Sequence, residues 1–146
     1  MSASLIYDFN GLTGLQGRIA RLEGDKPELL DIIGAVVESQ VRRRIRDEKN
    51  DPDGTPWGKW SERYAKRRPA GRTLLMGEDH LLDTITHLNV DRDSLEVGSN
   101  MIYAATHQFG DDERNIPARP FLGISDDNET DLIREIDAYL DERIGR

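Results

Sequence analysis

The strongest periodic pattern in the chain lies between Pro27 and Lys49. Leu29, Ile33, Val36, Val37, Val41 and Ile45 recur at three- and four-residue spacing, which puts them in one stripe of a long helix. Pro27 suits the first turn, with Glu28 and Asp31 near the positive helix end. The run NDPDGTPWG, Asn50 to Gly58, is dense in turn formers and ends the helix. A second stripe, Leu132, Ile133, Ile136, Leu140 and Ile144, predicts a final helix starting near Ser125 or Asp126. There Asp126 and Glu129 have capping-box spacing. Between the two, Leu88/Val90 and Leu95/Val97 alternate on either side of Asp91-Arg92-Asp93 and predict a hairpin of residues 86–90 and 94–99. Shorter helices are predicted from the Ser61 cap to about Lys66, over His80–His87 with Leu81, Leu82 and Ile85 on the apolar side, and over Ile102–Phe109, closed by Gly110. Residues 12–23 predict a short helix weakened by Gly14, Gly17 and Gly24, and Pro69, Gly71 and Gly77 bound a flexible section. The fold class is α+β, helices packed on a small antiparallel sheet. No repeat or linker divides the chain, so residues 1–146 are expected to form one domain, with 1–24 a candidate mobile N-terminal arm.

Composition adds a constraint on surface. Apolar residues make up only 36% of the 146 and charged residues 33%, a balance that suits a modest core or a core completed by neighbouring subunits. No window approaches the roughly 18 apolar residues of a membrane helix, and the N-terminus lacks the basic leader and apolar run of a secretion signal. The absence of cysteine removes disulfides and thiolate metal sites and fits a reducing compartment. The net charge of −8 is segregated: residues 1–37 carry −2, 38–72 carry +5, 73–110 carry −5 and 111–146 carry −6. A basic middle in an acidic chain suits an acidic partner surface, including that of a neighbouring copy. Arg42, Arg43, Arg44 and Arg46 read first as a solvated helix face, since Asp47 and Glu48 follow at once; nucleic acid is the alternative partner, against which stands the acidic remainder.

No pattern carries catalysis. Asp47, Asp51 and Asp53 suggest calcium, but the DPDG turn lacks the remaining ligands of a twelve-residue loop, and Asp is an ordinary turn residue. His80, His87 and His107 are too dispersed for a local zinc motif; His80 and His87 would share a face only on one unbroken helix. His107 reads as a buried or interfacial histidine satisfied by hydrogen bonding. Ser94, Ser99 and Ser125 have no nucleophile-elbow setting. Gly11, Gly14 and Gly17 lack phosphate-loop and dinucleotide spacing, and Asp83 is one of 28 acidic residues with nothing to single it out. The expected catalytic, cofactor and metal residues are therefore none. Trp57 and Trp60 either anchor their loop on the domain or form a subunit contact.

Asp51–Trp57 (DPDGTPW), Trp60-Ser61 and Tyr64–Arg68 (YAKRR) resemble the phage virion morphogenesis family, the tail-completion proteins of Mu-like and P2-like contractile-tailed phages. So do Val97-Gly98-Ser99, Tyr103-Ala104, His107–Gly110 (HQFG) and Ile116–Ser125 (IPARPFLGIS), with a looser match from Leu75-Met76-Gly77 to Leu81. The resemblance covers about residues 25–145 and is specific in combination. It implies a non-enzymatic structural protein with a tail-terminator- or neck-like fold, which completes the tail or joins it to the head. It also implies residence in the virion after assembly in the host cytoplasm, and other tail or neck proteins as partners. Related proteins form rings, commonly hexamers, around the DNA channel. Pro117 and Pro120 stiffen the segment that presents the planar fork of Arg119, which either braces its own fold or bridges subunits, and Phe121 feeds the core or an adjacent subunit. The expected ring interface is Trp57, Trp60, Arg119 and Phe121, with Arg42, Arg43, Arg46, Lys66, Arg67 and Arg68 facing an acidic neighbour. A DNA-binding accessory using clusters 42–46 and 66–68 is the alternative, and a small peptidoglycan hydrolase comes third.

Overall fold

The computed structural model describes residues 1–8, 12, 14–76 and 80–145. Gly11 of the glycine pattern and Gly77 of the expected flexible section lie outside them. The elements are β1 (Ala3–Asp8), α1 (Gln16–Ala20), α2 (Lys26–Arg43), α3 (Glu62–Arg67), β2 (Thr86–Asn89), β3 (Ser94–Ser99), α4 (Ala104–Phe109) and α5 (Asp126–Ile144). The architecture is mixed α+β, with helices packed on a three-stranded antiparallel sheet of order β1-β3-β2.

The two strong helices follow their stripes. Leu29, Leu30, Ile33, Val37, Val41 and Ile45 along α2 and its extension are fully buried against β2, β3 and α5. Each such side chain contributes about 1.5–3 kcal/mol by leaving water. α2 runs on through a π-helical turn, Arg44–Glu48, and stops at Lys49, whose positive φ of 57° lets its N–H reach Arg44 O at 2.9 Å. In α5, Leu132, Ile136, Tyr139 and Leu140 are buried. Its capping box uses Ser125 and Asn128 rather than the expected Asp126 and Glu129. Asn128 is held there because its amide oxygen also serves a buried arginine, which leaves the three acidic residues of the first turn free to favour the helix dipole.

The hairpin forms about its Asp-Arg-Asp loop, pairing Thr86–Asn89 with Gly98–Leu95. Three expectations change. Residues 3–8 of the expected N-terminal arm form edge strand β1, in register with β3 from Ala3↔Ser99 to Asp8↔Ser94. Alternation accounts for this: Ala3, Leu5 and Tyr7 face the core and Ile6 faces out. Gly98 permits the approach, since a Cβ there would meet Ala3 O and the Ser4 side chain. The His80–His87 helix shrinks to a 3-10 turn, Leu81–Thr84; Ile85 is already extended, because strand pairing with β3 claims the chain from Thr86. The N-terminal helix is confined to the five residues of α1. No described helix is long and apolar enough to cross a membrane.

Candidate interaction surface

Three of the segments that carry the family resemblance, around Trp57, Gln108 and Phe121, meet at one polar clasp, built at the end of α2. Gln40 and Arg44 occupy the buried face of that helix in the three-four rhythm of Ile33, Val37 and Val41. Arg44 is 1% exposed. It donates to Phe121 O at 2.8 Å, to Gly123 O at 3.1 Å and to Asn128 Oδ1 at 2.6 Å. Gln40 donates to Asn128 O at 3.0 Å. Burial pulls the Arg44 pKa down, yet a guanidinium remains protonated, so a fixed cation ties α2 to the segment entering α5.

The turn-rich loop closes over this point. Trp57 donates its indole N–H to Pro120 O at 2.9 Å, and Arg119 donates to Gly58 O at 2.9 Å and Lys59 O at 3.2 Å. Gln108 accepts from the Phe121 and Leu122 amides, and the Arg119 amide donates to His107 O at 2.7 Å. The fork of Arg119 thus takes backbone carbonyls of its own chain. Phe121 is fully buried within its own chain, and Trp57 is nearly so. Of the four residues expected at a subunit interface, Trp57, Arg119 and Phe121 therefore engage their own fold, and only Trp60 stays half-exposed.

The basic residues separate into two groups. Arg42 pairs with Glu38 at 3.0 Å and donates to Ile85 O, Arg43 lies 3.9 Å from Glu48, and Arg46 pairs with Asp47 at 3.2 Å. With Arg44 buried, run 42–46 is not a free cationic strip. Lys66, Arg67 and Arg68 are exposed on and just after α3, with Arg68 stacked 4.4 Å above the Trp60 ring and Trp60 edge-on to Tyr64 at 5.6 Å.

The remaining candidates are dispersed. His87 lies against α2, its ring filling the space above Gly34, with Nδ1 bonded to Glu38 and Nε2 3.6 Å from Asp31. His80 is exposed, 3.6 Å from Asp83. His107 stacks edge-on to Tyr103 at 5.7 Å. Ser99 shares a 2.7 Å hydrogen bond with Thr84, and Ser125 is a helix cap. Asp53 accepts from the Thr55 amide, which lowers its pKa, while burial first and Asp53 second raise that of Asp51. Beside them an open cleft of about 790 Å³ at the start of α5 is rimmed by Glu48, Asp53, Asp126 and Asp127. Among the described residues no three His, Asp or Glu side chains gather as metal ligands.

Interlocked loops on an α+β core, with buried polar chemistry directed to internal hydrogen bonds, define a scaffold that holds surfaces in fixed positions. The chain belongs to the phage virion morphogenesis family, whose model matches residues 8–141. It is similar to the Mu-like prophage FluMu G protein 2 of Haemophilus influenzae, 29% identical over 135 residues that cover 88% of each chain. The uncharacterized protein MJ0331 of Methanocaldococcus jannaschii is 36% identical over 72 residues, 45% of this chain and 53% of that one. No solved structure matches. The role of the chain is structural, in assembly of the phage tail or of the head–tail junction.

Proposed function

We propose that the chain acts by contact, without turnover, as a single-domain, ring-forming component that completes the tail end or neck, with a fold of the tail-terminator kind. The observation that carries this reading is the clasp: the residues shared with the family brace one another rather than converge on a reacting group. A scaffold stiffened in this way loses little entropy on docking. Its partners are other tail or neck proteins and further copies of itself, with six as the expected ring number. It assembles in the host cytoplasm and stays in the virion. The basic surface around α3, Lys66, Arg67 and Arg68, faces an acidic neighbour, and Trp60 lies at that contact. The pairing of Arg42, Arg43 and Arg46 with carboxylates and the burial of Arg44 argue against a phosphate-binding run.

Electron microscopy of particles made by a phage lacking this chain provides the test. Tails with defective ends, or tails and filled heads that fail to join, are expected, with complementation by the intact chain. Normal joined, infectious particles would overturn the reading.

A further inference from the structure

Two exposed features of this chain have complementary chemistry. The first is α3, six residues long and without one buried residue. Helices this short are marginal in water unless something packs on them, and among the described residues the support is local: the Ser61 cap, the Trp60–Tyr64–Arg68 stack and the bonds of Arg68 and Tyr64 with Arg72. Residues 62–68 carry +3, and among the described residues Arg63, Lys66 and Arg67 make no ion pair. The second is the outer side of α4. Ile102 is 92% exposed and Phe109 73% exposed, the two most exposed large apolar side chains described. Ile102 lies two residues before this short helix and Phe109 is its last residue, so the two flank its exposed side. Arg114 binds Asp111 at 2.6 Å and reaches Thr106 at 3.3 Å, which lays loop 111–114 along this side and puts the exposed Asp112 and Glu113 at its rim.

We infer that these are the two halves of a head-to-tail contact between copies of this chain: the Ile102–Phe109 face of one copy, rimmed by Asp112 and Glu113, docks on the Trp60–Tyr64 and Lys66–Arg67 platform of the next. The inference rests on the proposed self-assembly and assigns its surfaces. Aromatic and aliphatic anchors meet at the centre, and opposite charges meet at the edge, as stable interfaces require. The two patches differ, so the contact is heterologous and repeats around a ring.

The absence of cysteine allows a direct test. An equimolar mixture of Lys66→Cys and Glu113→Cys chains is oxidised, and the linked dimers are resolved by mass spectrometry beside native mass spectra of the unmodified chain. The mixed dimer, in which one chain of each kind is joined through the two introduced thiols, is expected in excess over random pairing. Phe109→Ser should remove the excess while weakening self-association by about tenfold or more. Oligomers with only random cross-linking would overturn the contact while leaving self-assembly standing. An unmodified chain that stays monomeric at every concentration would overturn both.

Discussion

The clasp and the α3 segment are joined end to end in sequence and obey opposite rules. At the clasp, Arg44, Trp57, Arg119, Phe121 and Asn128 are buried, and hydrogen bonds from Arg44, Trp57 and Arg119 run to distant parts of the chain. In α3 no residue is buried, and the described hydrogen bonds there run to residues a few positions away. The family resemblance draws on segments of both kinds, internally braced around Trp57, Arg119 and Phe121 and outward-facing along α3. Lys49 is the joint between them, its ammonium donating to Ile45 O at the end of α2 and to Thr73 Oγ1 and Leu74 O beyond α3.

The largest effect is expected at Arg44. Arg44→Met leaves the Phe121 and Gly123 carbonyls without this donor and Asn128 Oδ1 with only the Ser125 amide. At about 1–3 kcal/mol for each buried carbonyl left unsatisfied, the loss is enough to unfold a marginal domain; urea denaturation followed by tryptophan fluorescence measures it. Gly123→Ala comes next, because φ there is 156° and a Cβ would strike the Pro52 ring. A loss of about 1–3 kcal/mol is expected, read as a lower denaturation midpoint at unchanged slope. Trp57→Phe keeps most of the apolar packing and removes only the donor to Pro120 O, for about 1 kcal/mol. A Trp57→Phe cost as large as that of Arg44→Met would show that the loop, not the helix end, holds the clasp.

The joint gives a pH signature. Burial lowers the Lys49 pKa from 10.5 to about 8. Below pH 8 the ammonium is present in folded and unfolded chains alike. Above it the folded chain releases the proton first, so the unfolded chain binds more and this group's contribution to stability rises towards pH 10.5. Tyr7, pushed up to about 12 chiefly by burial, acts in the opposite sense only above 10. Stability measured between pH 8 and 10 should therefore climb in the parent and less so in Lys49→Met; parallel curves would rule out this account. The smallest effect is expected in α3, where Lys66→Glu with Arg67→Glu should leave stability within about 0.5 kcal/mol while abolishing self-association. A large stability loss would mean that α3 has a buried role after all.

Legibility followed the range of the interactions. Both long helices, the hairpin and the Ser61 cap were readable because each depends on residues within a few positions of one another. Gln40 and Arg44 carried a signal too, as polar residues in the buried rhythm of α2, but a run of four arginines reads first as a solvated face. β1 gave only a weak alternation, since an edge strand exists by virtue of its partner ninety residues away.

Fold class, the main helices and the family could be read from the chain unaided, since apolar period, turn residues and short motifs are local properties. The direction in which the polar and aromatic residues of those motifs point is settled by tertiary contacts. Trp57 and Arg119 turn inward because backbone carbonyls of other segments must be satisfied once water is excluded, and Phe121 because its ring leaves water for the core. Phe109, in the same motif set, is left outside because Gly110, at φ 76°, ends α4 and turns the chain away just after it. Residue type does not distinguish these fates; the positions of the neighbouring segments do.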